Sequence, residues 1–157
     1  MTAIGNSDSG IQNTEMRLSQ VKGWTISLWV VQVLLAFAIG GAGVMKTFFP
    51  IPELAAMLKW PGDVPVGLVR FIGVAELSAA FGMLLPALTR IRPGLTPLAA
   101  LGFIVIQLLA IPFHASRGEL AITLPLNLTF LALSGFVLWG RWKKAPITPR
   151  HLLIDVP

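Results

Sequence analysis

Four stretches of this chain are long and apolar enough to cross a bilayer, and that constrains the fold more than anything else in it. They run from Trp24 to about Met45, Val66 to Leu85, Leu95 to Phe113, and about Ala121 to Trp139. Each holds about 19–22 residues, or roughly 30 Å as a helix, which is the thickness of the hydrocarbon core. Within that core every backbone N–H and C=O must be satisfied inside the segment, so such runs must be helical. The fold expected is an all-α integral membrane protein, an antiparallel four-helix transmembrane bundle with a short interfacial helix in the first outer loop. Residues 1–22, polar and rich in Gly, Ser, Asn and Thr, read as a flexible cytoplasmic tail. Residues 23–142 form the four-span membrane domain and residues 143–157 a basic cytoplasmic tail.

Composition agrees. Charged residues make up 12% of the chain against 55% hydrophobic, where a soluble domain carries about 25% charge. Ala36-Phe37-Ala38 has the form of a signal cleavage site, but it lies mid-run, so an uncleaved span is expected. There is no cysteine, which excludes thiolate nucleophiles, disulfides and iron–sulfur ligation within the chain. The basic character suggests nucleic acid at first sight. Yet the cations sit in loops flanking the spans, where topology accounts for them, and the partner expected is the lipid bilayer. The side bearing both termini and the span 2–3 loop holds eight Lys and Arg against three acids; the other side holds four against four. Both termini are therefore expected in the cytoplasm of a multi-pass cell-membrane protein.

Punctuation is clear between the spans. Pro86 and Pro93 mark the short loop after span 2, and Pro146 and Pro149 stop the last helix. In the long first loop, Pro52 followed by Glu53-Leu54-Ala55-Ala56-Met57-Leu58 predicts a short helix. Leu54, Met57 and Leu58 share its face and Trp60 suits a membrane interface, so it is expected to lie on the outer leaflet. Arg141-Trp142-Lys143-Lys144 reads as an anchor at the anionic inner leaflet.

Against this apolar background a few polar residues stand out: Lys46, Arg70, Glu76, His114, Glu119 and Asn127. Charged side chains in a bilayer core cost about 2.5–3.5 kcal/mol each, so they need partners or a task. Helical spacing aligns Gln32, Ala36, Gly40, Gly43 and Lys46 on one stripe of span 1. Arg70 and Glu76 flank Gly73 in span 2, Gln107 and His114 nearly eclipse in span 3, and Thr123, Asn127 and Ser134 align in span 4. Small residues let helices approach closely in lipid, so these are packing faces. The expectation is one polar pocket opening outward, with Glu76 about 9 Å below Arg70 as its floor. Gln32 and Gln107 lie further in and are placed to hydrogen-bond across helices.

The same residues carry a resemblance. Gly43-Val44-Met45-Lys46, Arg70-Phe71-Ile72-Gly73-Val74-Ala75-Glu76, Pro86, Phe113-His114, Gly118-Glu119, Asn127 and Gly140-Arg141 make residues 25–142 similar to the DoxX-like family of small four-span membrane proteins. The resemblance implies an association with thiosulfate–quinone oxidoreduction or with oxidative-stress enzymes, while distant animal relatives look like cargo receptors or receptor-assembly factors. On this reading Lys46, Arg70, Glu76, His114 and Asn127 line a site for a quinone or similar apolar ligand, in a subunit that meets a membrane or redox partner protein. His114 is then a rim hydrogen-bonder or a quinone-ring partner, or else a histidine snorkelling to the interface. The alternative is a non-enzymatic assembly or scaffolding subunit whose Lys46–Arg70–Glu76 cluster is a buried ion-pair network fixing helix register. A transporter would need a homo-oligomer to make room for alternating access. With only His114 and the distant His151, no metal or haem site is expected. Met45, Met57 and Met83 read as packing.

Overall fold

The computed structural model describes residues 4–150, with side chains from Gln12 onward; residues 151–157 of the basic tail, His151 among them, lie outside the described residues. The chain forms α1 (Ile4–Phe48), α2 (Ile51–Leu58), a single 3-10 turn (Trp60–Gly62), α3 (Val66–Thr89), α4 (Leu95–Ser116), α5 (Leu120–Trp139) and a π-turn (Gly140–Lys144). No strand occurs among the described residues. Four helices are long and apolar enough to cross a membrane. One end of the bundle carries α2 and the α4–α5 turn. The other carries the α3–α4 loop and the π-turn after α5.

Helix α1 differs from expectation. The residues read as a flexible tail are helical from Ile4, making 45 residues in one helix, or about 67 Å, roughly twice the hydrocarbon core. Residues 12–22 of this helix are all exposed. No proline interrupts the first 49 residues, and extending a nucleated helix adds one hydrogen bond per residue fixed.

Proline position explains a second difference. Pro86 does not close α3; it sits inside it, and the helix runs on to Thr89. A proline loses its own N–H bond and crowds the carbonyl four residues back, which a spanning helix tolerates where neighbours re-satisfy the freed groups. The helix instead ends at Arg90, in the left-handed conformation with φ 58°, whose N–H donates to Pro86 O at 3.0 Å. Pro112 and Pro125 likewise lie within α4 and α5.

The core follows the stripes read from the sequence. Gln32 and Ala36 of α1 and Gly73, Glu76 and Ala80 of α3 are buried, as are Gln107 of α4 and Asn127 and Ser134 of α5. Leu35, Ile39, Met83, Phe103 and Val137 join them in one apolar cluster drawn from all four spanning helices. Large apolar residues such as Phe37, Phe71, Leu109 and Ile122 face outward, as befits surfaces bathed in lipid rather than water.

Helices α1 and α3 meet at two glycines. A Cβ on Gly73 would lie 2.8 Å from Thr47 N and 2.9 Å from Lys46 C; one on Gly43 would lie 2.9 Å from Gly73 O. Only hydrogen fits at either contact, the membrane form of small-residue helix packing. That approach brings the end of α1 against the middle of α3, where the charged residues are.

Candidate functional site

At this junction Glu76 receives the Lys46 ammonium on both carboxylate oxygens, at 2.9 and 2.8 Å. Only 11% and 9% of the two side chains is exposed. Arg70 does not join them in an ion pair. Its Nη1 donates instead to Lys46 O at 2.8 Å. That carbonyl is one of the last four of α1, which have no partner within the helix, so Arg70 caps the helix and complements the negative end of its dipole. The six-residue spacing on α3 thus serves two ends of one residue: Arg70 holds the Lys46 carbonyl and Glu76 its ammonium.

His114 belongs to a second network. Its Nδ1 is 2.8 Å from Glu119 Oε2, and Arg117 Nε donates to Glu119 Oε1 at 3.1 Å. Arg117 reaches on to Asp63 through Nη2, tying the α4–α5 turn to the loop before α3. The turn is possible because Gly118 takes φ +71°, a conformation side chains rarely adopt. Glu119 also accepts on its backbone carbonyl the N–H of Ile122 and Thr123 at the start of α5. The hydrogen bond from His114, and next that from Arg117, hold the Glu119 carboxyl below its usual pKa.

Among the described residues no hydrogen bond or ion pair joins the two networks, so the six polar residues do not form one continuous cluster. An apolar plug lies at the same end. Leu54, Trp60 and Val69 are buried with Met45, Ile51, Ile72 and Phe113 packed against them. Trp60 is 6% exposed and meets the edge of Phe113 at 5.7 Å. It is not the interface anchor the sequence suggested, because Lys59 at φ 63° ends α2 and folds the tryptophan back over the bundle. Leu54 goes with it, whereas Met57 and Leu58 of the same helix are exposed.

Asn127 stands in neither network. It is 7% exposed, and its Nδ2 has no hydrogen-bond acceptor; Thr47 Oγ1 is likewise buried without a partner.

The structure also turns inward a residue the sequence placed at headgroups. Arg141 is 5% exposed, donates from Nε to Gln32 Oε1 at 2.9 Å and lies over the Trp29 ring. Gln32 in turn donates to Met83 O, the cross-helix role expected of it. A signal for Arg141 was present: Asn127, Ser134 and Arg141 recur every seven residues, so they share one helix face. Asp63 and Arg117 gave none, since their meeting depends on how two loops fold.

The DoxX-like family matches residues 30–137. The chain belongs to the DoxX-like family. No curated protein and no solved structure matches it. The matched span contains both networks of the DoxX-like chain and Asn127, and ends just before the π-turn that carries Arg141.

Proposed function

We propose that this DoxX-like protein is an accessory subunit of a membrane redox system that binds a small, lipid-borne ligand of the quinone class at the α2 end of the bundle. The observation that carries this reading is the buried Asn127 amide with an unpartnered donor. An N–H without an acceptor in apolar surroundings is costly, by about 1–3 kcal/mol, and a quinone carbonyl is an acceptor that arrives dissolved in the bilayer. Lys46, Arg70 and Glu76 would shape the site and His114 its rim; the Lys46–Glu76 pair is neutral as a unit, which suits a neutral ligand. The redox setting rests on the family resemblance alone. The eight-to-four bias of Lys and Arg supports both termini being cytoplasmic, with the α2 end outside.

Purified protein extracted with organic solvent and analysed by mass spectrometry should yield a quinone, and Asn127→Leu should lose it while eluting normally on gel filtration. A preparation without any such ligand overturns the reading. The second reading, an assembly subunit, is favoured by the Lys46–Glu76 pair, which needs no ligand to be satisfied. Crosslinking in native membranes would then trap one dominant partner, and Glu76→Gln would lower the amount of protein rather than its activity.

A further inference from the structure

The end of the bundle away from α2 holds a charge that no carboxylate among the described residues matches. Arg141 is 95% buried by its exposure of 5%. Its partners are neutral: Gln32, through Nε at 2.9 Å, and the Trp29 ring, 5.1 Å from Cζ. Its Nη2 is buried without an acceptor. Among the described residues no carboxylate forms an ion pair with it. A buried charge with no counter-charge is strongly unfavourable, so this guanidinium is poised for an anion.

Beside it the structure has a cavity. Its volume is about 480 Å³, and its wall includes Pro93, Pro97, Leu101, Leu138 and Trp142, with Arg141 as its one charged residue. Sites for small molecules span roughly 300–1,000 Å³ and are mostly apolar with a few fixed polar groups. Leu98, Leu101 and Trp142 on this wall are also exposed on the outer surface of the bundle, so the cavity borders the lipid. Arg90, Arg92, Lys143 and Lys144, within three residues of its lining in sequence, are exposed, which gives this end a positive field.

We propose that this cavity is a binding site for one acidic phospholipid, with an acyl segment among the prolines and leucines and the phosphate on Arg141. Guanidinium offers phosphate two donors in a planar fork. The combination of an apolar hollow, an unmatched buried cation and a position at the end of the spanning helices fits a bilayer lipid better than a water-borne anion. This site is separate from that of the proposed function, and either can fail without the other.

Native mass spectrometry of detergent-solubilised protein with added phosphatidylglycerol, phosphatidylcholine or oleate tests it. The wild type should retain one phosphatidylglycerol at about tenfold lower concentration than phosphatidylcholine. Arg141→Gln should remove that preference, and Leu101→Trp, which fills the cavity from the lipid-facing side, should weaken both lipids with Arg141 intact. Gel filtration identifies any variant that fails to fold; Leu101→Trp then carries the test. Equal retention of the two lipids by the wild type overturns the proposal. So does a preference that survives both substitutions, which would assign it to the exposed lysines and arginines, or tighter binding of oleate than of phosphatidylglycerol.

Discussion

Lys46 shows how one side chain can organise an intramembrane site. Its ammonium and its carbonyl are both held by α3, so a single residue clamps the end of one helix to the middle of another. Lys46→Met should leave the Glu76 carboxylate buried and unmatched and destabilise the protein by about 3–5 kcal/mol, whereas Lys46→Met with Glu76→Leu should recover most of the loss. Thermal unfolding of the single and double variants in detergent measures this; a double variant as unstable as the single one would show the pair is more than a structural clamp. Glu119 gives a dependence on pH. Its carboxyl is shifted below the ordinary value of 4.5, so the folded state binds its proton less tightly than the unfolded chain does. The stabilisation is complete above that value and is lost as pH falls through the lower folded pKa. An acid titration of the melting temperature should therefore show a smaller fall for Glu119→Gln than for the wild type.

Among the elements, the α1–α3 contact decides whether the clamp forms. Gly73 faces the backbone of Thr47 and Lys46 below 3 Å for any added Cβ, and rigid backbone cannot yield as a side chain can. Gly73→Ala should cost about 1–3 kcal/mol through overpacking and loosen the Lys46–Glu76 pair, while Gly67→Ala, which meets nothing within 4 Å, should be close to neutral. Unfolding midpoints of the two variants compare a crowded glycine with an open one on the same helix. The α2 segment behaves differently from its sequence pattern. Its apolar face was expected to lie on lipid, but with Lys59 at positive φ the chain turns so that Leu54 and Trp60 are buried at the bundle end. Met57 and Leu58 of the same face stay exposed, as an interfacial helix requires.

For the molecule as a whole, two polar centres lie at opposite ends of one bundle: the paired charges beneath α2, and Arg141 in the π-turn after α5, without a carboxylate partner among the described residues. Because the chain has no cysteine, its topology can be tested cleanly. Single cysteines replacing exposed Lys59, Arg92 and Lys143 should react with a membrane-impermeant maleimide in two classes. Arg92→Cys and Lys143→Cys should label only after the membrane is opened, and Lys59→Cys in intact cells. Labelling of all three in intact cells would refute the four-span arrangement, and reversal of the two classes would refute the cytoplasmic placement of the termini.

The helical spans, the packing stripes and the meeting of Lys46 with Glu76 were all legible in the chain, because they depend on run length and on the 3.6-residue period, which are local. A polar residue among apolar ones must turn away from lipid, and its spacing from the next fixes which face it shares. The separation into two networks was not legible. It comes from Arg70 choosing a backbone carbonyl that only a docked α1 presents, and from loops that carry Asp63 to Arg117. Nor was the plug made by Trp60, which follows from one residue at positive φ. Inward burial of Arg141 was half visible, in its seven-residue spacing from Ser134. The cavity beside it arises only where the α3–α4 loop and the segment from Arg141 to Ile147 converge, and contacts between segments so far apart in sequence leave no periodic trace.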